Sequence, residues 1–375
     1  MGERASRQSE PVLIVGAGPA GLATAACLKQ RKIPMRIFEA GDAPASTWRR
    51  LYDRLHLHTV RALSGLPGYP MPRRFPRYPS REQVVEYLDS YARHFGLVIE
   101  TGMPVQRAAP EPEGDGWRVE TPSGTQTGRA LVSATGIFSN PLRARYPGEE
   151  LFQGQIAHSA GYRNATPFAG QRVLLIGVGN SGAEIAVDLA EHGAHPTISI
   201  RAGANVVPRE LVGVPIQRWA HLIVRLPPGV TQRVLAPVML RQAVRRQTQA
   251  GVPRPTVGSL EKPGVPVIGL ELLQQARAGA IAIRPAVERF TGQGVRFVDG
   301  REEPFDAVLI ATGYRPALGY LSDVLPLDDA GFPRMDGVRS LDLPNLYFVG
   351  MYNNIRGTLF NIAHEAPLVA EMLAV

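Results

Sequence analysis

A glycine pattern, Gly-x-Gly-x-x-Gly, occurs twice in this chain of 375 residues and constrains the fold more than any other feature. The first copy follows an apolar run at residues 12–15, and the second follows a similar run at residues 173–176. In a strand–turn–helix unit the first glycine allows a tight turn, the second lets the backbone approach a pyrophosphate, and the third lets helix and strand pack closely. The two copies therefore predict two nucleotide-binding turns, which contain Gly16, Gly18, Pro19, Ala20, Gly21, Gly177, Gly179, Asn180, Ser181 and Gly182.

The residue that ends the second predicted strand of each unit differs in charge. Glu39 follows a strand predicted at residues 35–38, and its carboxylate can accept hydrogen bonds from an unphosphorylated ribose, as in FAD or NAD. Arg201 follows a strand predicted at residues 197–200, and a guanidinium there can pair with a 2′-phosphate. We therefore expect two different ligands, with NADPH preferred at the second turn. The alternative is that Arg201 is one more surface arginine.

Two matched Ala-Thr-Gly tripeptides follow the binding units, each after an apolar run that predicts a strand. Their positions favour points at which the chain crosses from one domain to the other. The pattern as a whole predicts an α/β fold with two Rossmann-like dinucleotide-binding domains, the second inserted into the first. The predicted boundaries are residues 1–150 and 306–375 for the first domain and 151–305 for the second, with a basic insertion at 203–260. The residues of the tripeptides are Ala134, Thr135, Gly136, Ala311, Thr312 and Gly313.

Two further helices can be predicted from their ends. Ser80 and Gln83 have the spacing of a capping box, which begins a helix that Gly96 closes. A strand at residues 346–349, Gly350 and a helix at residues 358–373 complete the first domain, and we expect Pro367 to bend or interrupt that helix.

Composition restricts the chemistry and the location. The single cysteine, Cys27, excludes an intrachain disulfide and a Cys-rich zinc site, and it favours a reducing, cytoplasmic environment. No metal site is predicted. The net charge of +8 favours anionic ligands. No nucleic-acid recognition motif accompanies the arginines, so we expect a small-molecule substrate and no nucleic acid.

The stretch from Phe152 to Arg163 resembles the F-x-G-x-x-x-H-x-x-x-Y-[KR] fingerprint of class B flavin-dependent monooxygenases at every fixed position, including His158 and Tyr162. Residues 78–81, 180–184 and 311–316 are similar to other segments of that family. Residues 253–260 and 266–268 resemble its plant YUCCA branch. The resemblance covers nearly the whole chain.

The resemblance implies FAD and NADPH as cofactors. It also implies a reaction with O2 through a C4a-(hydro)peroxyflavin, which places one oxygen atom on a nitrogen or sulfur or decarboxylates a keto acid. It implies that Trp48, Val105 and Gly350 contact the cofactor, and that His158 and Tyr162 shape the domain junction. The competing hypotheses are an FAD-containing, NADPH-dependent electron-transfer reductase with a protein partner and a non-catalytic flavin-bound sensor. The lone cysteine disfavours a disulfide reductase.

Some positions depart from the family pattern. Ser46 and Thr47 replace a Gly-Gly pair, so we expect a differently shaped loop near the flavin. His58 aligns with a catalytic Asn or His of the family and is the predicted catalytic, flavin-facing residue; the alternative is that it only packs there. Arg61 is a second catalytic candidate that could stabilise a peroxide or substrate anion, and its alternative is a surface pair.

The basic insertion contains a segment at residues 234–246 with an amphipathic pattern. Contact with an anionic membrane surface is one interpretation of this segment, and a solvated face near the NADPH entrance is the favoured one.

Overall fold

The computed structural model describes residues 10–112, 115–223, 245, 247–253, 266–354 and 356–374. The chain divides into two compact units. Unit 1 comprises residues 1–50, 59–140 and 314–375, and unit 2 comprises residues 51–58 and 141–313. Most of the predicted amphipathic segment 234–246 and of the YUCCA-like segment 253–260 lies outside the described residues.

The described strands are short, as expected for turn-rich α/β units. In chain order they are β1 Val12–Val15, β2 Met35–Phe38, β3 Arg107–Pro110, β4 Trp117–Thr121, β5 Gly124–Gly128, β6 Ala130–Ser133, β7 Asn140–Pro141, β8 Gln155–His158, β9 Arg172–Ile176, β10 His195–Ser199, β11 Val206–Val207, β12 Glu210–Leu211, β13 Val214–Pro215, β14 Val267–Ile268, β15 Ala282–Arg284, β16 Val287–Phe290, β17 Gly294–Phe297, β18 Glu302–Pro304, β19 Ala307–Ile310, β20 Tyr314–Arg315, β21 Met335–Asp336, β22 Arg339–Ser340 and β23 Leu346–Phe348.

The described α-helices lie mainly after the glycine turns and at the end of the chain. They are α1 Pro19–Gln30, α2 Ser46–Arg50, α3 Arg81–His94, α4 Asn180–Glu191, α5 Ile216–Ile223, α6 Glu271–Arg277 and α7 Thr358–Met372. Helix α3 begins with the predicted capping box, in which the Ser80 side chain accepts from the Gln83 N–H and the Gln83 side chain accepts from the Ser80 N–H. Helix α7 continues through Pro367, so the expected interruption does not occur.

Unit 1 is built on a six-stranded sheet in the order β2-β1-β6-β23-β22-β21. Strands β2, β1, β6 and β23 are parallel, and β22 and β21 add an antiparallel edge. Every residue of β1 and β6 is buried, because the central strands of a parallel sheet are covered on both faces. A separate antiparallel sheet, β3-β4-β5, contributes the buried Trp117 to the core of this unit.

Unit 2 repeats the arrangement with a five-stranded parallel sheet in the order β15-β10-β9-β19-β8. The strand before each glycine turn occupies the equivalent position in its sheet. It lies between the strand that follows the next helix and the strand that ends in the Ala-Thr-Gly tripeptide: β1 lies between β2 and β6, and β9 lies between β10 and β19. An antiparallel sheet, β16-β17-β18, completes this unit. The predicted α/β fold with parallel, Rossmann-type sheets is confirmed.

The division between the units differs from the boundaries expected from the sequence. Strand β19 and residues 311–313 belong to unit 2, because β19 pairs with β8 and β9, whereas the expected boundary placed them in the first domain. Residues 51–58 and 141–150 also belong to unit 2. Local patterns locate strands, but they do not reveal which sheet a strand joins.

Candidate functional site

The first glycine of each turn has the same steric requirement. Gly16 has φ +102°, and a Cβ atom there would lie 2.7 Å from the carbonyl oxygen of Ala134. Gly177 has φ +111°, and a Cβ atom there would lie 2.6 Å from the carbonyl oxygen of Ala311. Positive φ and contact with a neighbouring backbone both exclude other residues. The two Ala-Thr-Gly tripeptides thus form the wall against which each glycine turn packs.

The other glycines of the two turns have different roles: the third of each turn is required for packing, and the second faces open space that a ligand can enter. A Cβ on Gly21 would lie 1.9 Å from the Gly16 carbonyl oxygen, and one on Gly182 would lie 2.3 Å from that of Gly177. A Cβ on Gly18 would meet no atom within 4 Å, and the same holds for Gly179. No side chain caps α1 or α4, so the free N–H groups in the first turn of each helix remain available to an anion, as the predicted phosphate sites require.

A cavity of about 390 Å³ opens beside the glycine turn of unit 1. Its walls come from the turn, from the ends of β2 and β6, from residues 103–105, from Gly350 and from the start of α7. The predicted cofactor-binding residues that line it are Gly16, Gly18, Pro19, Ala20, Glu39, Trp48, Val105, Ala134, Thr135, Gly136 and Gly350.

Glu39 is fixed at the edge of this cavity by three donors. Its Oε2 accepts from the backbone N–H of Ala17 at 2.8 Å, and its Oε1 accepts from the N–H of Gly41 at 2.9 Å. The hydroxyl of Ser46 donates to Oε1 at 2.7 Å. Ser46, one of the two residues that replace the family's Gly-Gly pair, therefore orients the predicted ribose-binding carboxylate.

Three hydroxyl groups in and beside this cavity support the binding of a polar cofactor. The hydroxyls of Ser133 and Tyr320 face each other, and the Thr135 hydroxyl is buried with no hydrogen-bond partner among the described residues. Thr135 and Tyr320 line the cavity, and Ser133 ends the adjoining strand. A buried hydroxyl left unpaired costs about 1–3 kcal/mol, so Thr135 suits a ligand with hydrogen-bonding atoms. The residues present fit FAD.

Sequence reasoning missed several residues of the cavity wall. They are Ala40, Arg50, Met103, Pro104, Phe138, Tyr320, Thr358 and Ile362. Thr358 and Ile362 lie in the first turns of α7, whose predicted position could have indicated them. Tyr320 lies in a 3-10 turn without any motif, so no signal in the sequence marks it.

The glycine turn of unit 2 has a different polar environment. Arg201 lies two residues beyond β10 and is exposed, as a 2′-phosphate contact requires. The Asn180 side chain binds other parts of the protein, because its Nδ2 donates to the Pro266 carbonyl at 3.0 Å and its Oδ1 accepts from the Ile268 N–H at 2.8 Å. This geometry gives Asn180 a structural role. Ser181 follows it in the first turn of α4.

The second Ala-Thr-Gly tripeptide also forms hydrogen bonds with the backbone of Leu142. The Thr312 hydroxyl donates to the Leu142 carbonyl, and the Leu142 N–H donates to the Gly313 carbonyl at 2.9 Å. These contacts fix the start of the segment that leads into the fingerprint.

The fingerprint residues Tyr162 and His158 have structural contacts. Tyr162 is buried and donates to Asp188 Oδ2 at 2.5 Å, and burial together with this carboxylate raises the pKa of its hydroxyl. His158 Nδ1 accepts from the Ala160 N–H at 3.0 Å, and burial lowers the pKa of its ring.

The two predicted catalytic residues lie in different units. His58 belongs to unit 2, where its Nε2 lies 3.4 Å from Glu184 Oε1, and it is not among the residues that line the cavity of unit 1. Arg61 belongs to unit 1, where its guanidinium donates to the carbonyls of Arg73 and Phe75. These bonds hold a loop in place, so the geometry of Arg61 favours a structural role.

The single thiol lies away from solvent. Cys27 is buried, and burial raises the pKa of its thiol to about 11.

The described residues contain no cluster of His, Cys, Asp and Glu that could hold a metal ion. Within the described part of the chain, no helix has the length and apolar character needed to cross a membrane.

Comparison with known proteins identifies relatives over most of the chain. The flavin-binding monooxygenase-like family model matches residues 9–329. Indole-3-pyruvate monooxygenase YUCCA1 from Oryza sativa subsp. japonica is 38% identical over 353 residues, which cover 90% of this chain and 86% of that protein. The probable indole-3-pyruvate monooxygenase YUCCA1 from Arabidopsis thaliana is 37% identical, with 96% of this chain and 88% of that protein covered.

Solved structures agree with the sequence relatives. A flavin-containing monooxygenase from Stenotrophomonas maltophilia superposes with a TM-score of 0.75 at 27% identity and covers 98% of both chains. The two glycine turns of equal geometry and the cavity that fits FAD point to the same kind of protein as these relatives. The chain therefore belongs to the flavin-binding monooxygenase-like family and is a monooxygenase that uses FAD and NADPH.

Proposed function

We propose that this monooxygenase oxidatively decarboxylates an aryl-substituted 2-oxo acid of the indole-3-pyruvate type. The observation that carries the proposal is 37–38% identity over nearly the full length of two plant proteins named for indole-3-pyruvate oxygenation. The net charge of +8 favours the approach of an anionic substrate.

The balanced reaction consumes one 2-oxo acid, O2, NADPH and a proton. It yields the acid shortened by one carbon, CO2, water and NADP⁺. One oxygen atom of O2 enters the new carboxylate and the other leaves as water. When bound, NADPH supplies the electrons and the flavin brings them to O2. The protein must bind both cofactors, orient the 2-oxo acid and exclude water.

We assign FAD to unit 1 and NADPH to unit 2. In unit 1, Glu39 would hold the ribose, the uncapped N-terminus of α1 would hold the pyrophosphate, and the Thr135 and Tyr320 hydroxyls would hydrogen-bond to the cofactor. In unit 2, the N-terminus of α4 would hold the pyrophosphate and Arg201 the 2′-phosphate. The small-molecule substrate follows from the family. The cytoplasmic location and the absence of a nucleic-acid partner remain predictions from composition.

The test measures oxygen transfer directly. Enzyme loaded with FAD is given NADPH, ¹⁸O2 and either phenylpyruvate or indole-3-pyruvate, with 2-hydroxy acids of the same skeletons as controls. We expect CO2 release equal to NADPH consumption, and one ¹⁸O atom in each shortened acid. The hydroxy acids should give only slow NADPH oxidation. Stoichiometric N-oxide or S-oxide from an amine or sulfide, without CO2 from the 2-oxo acids, would overturn the substrate class. NADPH oxidation that requires an added electron acceptor would instead support the reductase alternative.

A further inference from the structure

The cavity of unit 1 that fits FAD has two charged side chains among the described residues that line it, Glu39 and Arg50. The other side chains of its wall are apolar, aromatic or bear a neutral hydroxyl group. Glu39 already accepts hydrogen bonds from three donors, and none of them is Arg50. The positive charge of Arg50 is therefore not neutralised by the other charged group of this wall.

The backbone of Arg50 is held in place although its side chain is exposed. Arg50 is the last residue of α2, and the first residue of this helix, Ser46, is bound to Glu39. Near the other end of the helix, the carbonyl of Arg49 accepts from Arg81 Nη1 at 3.0 Å. Because Arg81 is only 6% exposed, this contact belongs to the interior of unit 1. Both ends of α2 are thus attached to the protein, and Arg50 is kept at the edge of the cavity.

The two adjacent arginines of α2 have opposite environments. Arg49 Nε donates to the Pro44 carbonyl at 2.9 Å, and Arg49 Nη2 lies 2.5 Å from Asp89 Oδ1. Arg50 has neither a hydrogen bond nor an ion pair with the part of the chain that the structure describes. Arg49 therefore attaches the helix to its surroundings, whereas the guanidinium of Arg50 is available to a ligand.

The oxidised form of FAD carries its charge on one group. Its flavin, ribityl chain, ribose and adenine are neutral near pH 7, and its diphosphate is anionic. The N–H groups at the start of α1 supply only partial positive charge to such a group. A guanidinium keeps its full charge at any pH at which the protein is folded, and its planar set of donors matches the oxygens of a phosphate.

We propose that Arg50 is a cofactor-binding residue that forms an ion pair with the diphosphate of FAD. Its guanidinium supplies the counter-charge, and the N-terminus of α1 supplies backbone donors to the same group. No motif of the sequence marks this arginine. The inference rests on the assignment of FAD to unit 1, which is part of the proposed function, and it is independent of the substrate.

The test compares FAD binding by wild type, Arg50→Ala, Arg50→Lys and Arg93→Ala. The full-length protein is stripped of flavin, and the Kd for FAD is measured from the quenching of flavin fluorescence. Arg93 is the matched control, because it is an exposed arginine of unit 1 that donates to Ser90 and does not line the cavity.

Arg50→Ala should raise the Kd for FAD roughly 10- to 50-fold, as expected for the loss of one charge-assisted pair that is partly open to water. Arg50→Lys should give a smaller increase, because the ammonium group retains the charge but not the planar set of donors. Arg93→Ala should bind FAD as wild type does. The Tm of the flavin-free protein should be the same for wild type and Arg50→Ala.

Salt provides a second readout, which a merely structural role of Arg50 would not change. Raising the ionic strength from about 0.03 M to about 0.3 M screens charges that are exposed to solvent, so the Kd of wild type for FAD should rise. The rise should be clearly smaller in Arg50→Ala, because that variant has lost the ion pair.

An unchanged Kd in Arg50→Ala would overturn the inference. A weaker affinity with the same salt dependence as wild type would also overturn it, since the lost contact would then not be an ion pair. A lower reduction potential of the bound flavin, with no change in the Kd for oxidised FAD, would place Arg50 at the isoalloxazine ring and would equally refute the contact with the diphosphate.

Glu39→Ala separates this inference from the assignment on which it rests. If Glu39→Ala loses flavin and Arg50→Ala binds it as wild type does, the inference fails and the assignment of FAD to unit 1 stands. If neither variant loses flavin, the assignment fails as well.

Discussion

Glu39 Oε2 accepts a hydrogen bond from the backbone N–H of Ala17 at 2.8 Å, which ties the end of β2 to the middle of the first glycine turn. The same carboxylate holds the Gly41 N–H and the Ser46 hydroxyl on its other oxygen. A ribose bound here meets a carboxylate that is already oriented, so little conformational freedom is lost on binding.

Glu39→Ala should therefore lose flavin. Removing a carboxylate that holds two backbone N–H groups and the ribose weakens FAD binding by roughly 10- to 100-fold, from about 1.5–3 kcal/mol per charged hydrogen bond. The measurement is the flavin-to-protein absorbance ratio after purification and the Kd for added FAD. Glu120→Ala changes an exposed carboxylate of unit 1 and should retain flavin. Full flavin occupancy in Glu39→Ala would refute the assignment.

The glycines of the first turn predict a contrast between stability and binding. Gly18→Ala places a methyl group where no atom lies within 4 Å, so the apoprotein should keep its Tm while FAD affinity falls at least tenfold. Gly21→Ala places a methyl group 1.9 Å from the Gly16 carbonyl oxygen, so it should lower the apoprotein Tm by several degrees. Thermal unfolding with and without FAD checks both expectations. A reversed order of the two apoprotein Tm values would contradict this account of the turn.

Arg201→Ala should raise the KM for NADPH roughly 10- to 100-fold and change the KM for NADH less than about twofold, because only NADPH carries the 2′-phosphate that the guanidinium binds. Steady-state oxidation of both nucleotides by the holoenzyme provides the comparison. Arg289→Ala, at an exposed arginine of β16, is the matched control and should alter neither value. Equal losses for the two nucleotides would remove the basis for the phosphate assignment.

The half-buried side chains of Glu184 and His58 in unit 2 predict how stability depends on pH. The pKa of Glu184 rises from 4.5 to about 7 on folding, so between these values the folded state binds more protons and stability falls as pH rises. The pKa of His58 falls from 6.5 to about 4, so between these values the unfolded state binds more protons and stability rises with pH. The two effects oppose each other where they overlap.

Glu184→Gln removes the first effect and leaves the second. The Tm of this variant should rise more steeply than that of wild type between pH 5 and pH 6.5, with an extra gain of roughly 2–5 °C. Differential scanning calorimetry across this range measures the slopes. Parallel curves for the two proteins would show that Glu184 titrates alike in the folded and unfolded states.

Cys27 should be unreactive in the folded protein. The thiol is 2% exposed, and burial raises its pKa to about 11, so the reactive thiolate is scarce at pH 8. A thiol-specific chromogenic reagent should label less than about a tenth of the protein in an hour, and one thiol per chain in denaturant. Rapid labelling of the native protein would show that Cys27 is accessible and would contradict this prediction.

The sequence predicted those features that depend on local geometry. Gly16 and Gly177 identified their turns, and Ser80 and Gln83 identified the start of α3, because positive φ and capping are properties of a few neighbouring residues. The unit to which β19 belongs depends on its partners β8 and β9, which are distant in sequence. The contact of His58 with Glu184 was likewise not predicted, since 126 positions separate them in the chain. Tyr320 joined the cavity wall without any motif at all.

Asn180 uses both polar atoms of its side chain to bind the backbone at Pro266 and Ile268, so the N-terminus of α4, to which we assign the nucleotide phosphate, is held to strand β14. If a nucleotide binds there, we expect the ordering of this helix end to reach a strand that is distant in sequence. Hydrogen exchange at the Ile268 amide should consequently slow when NADP⁺ is added, which makes this amide a reporter of occupancy at a site it does not touch.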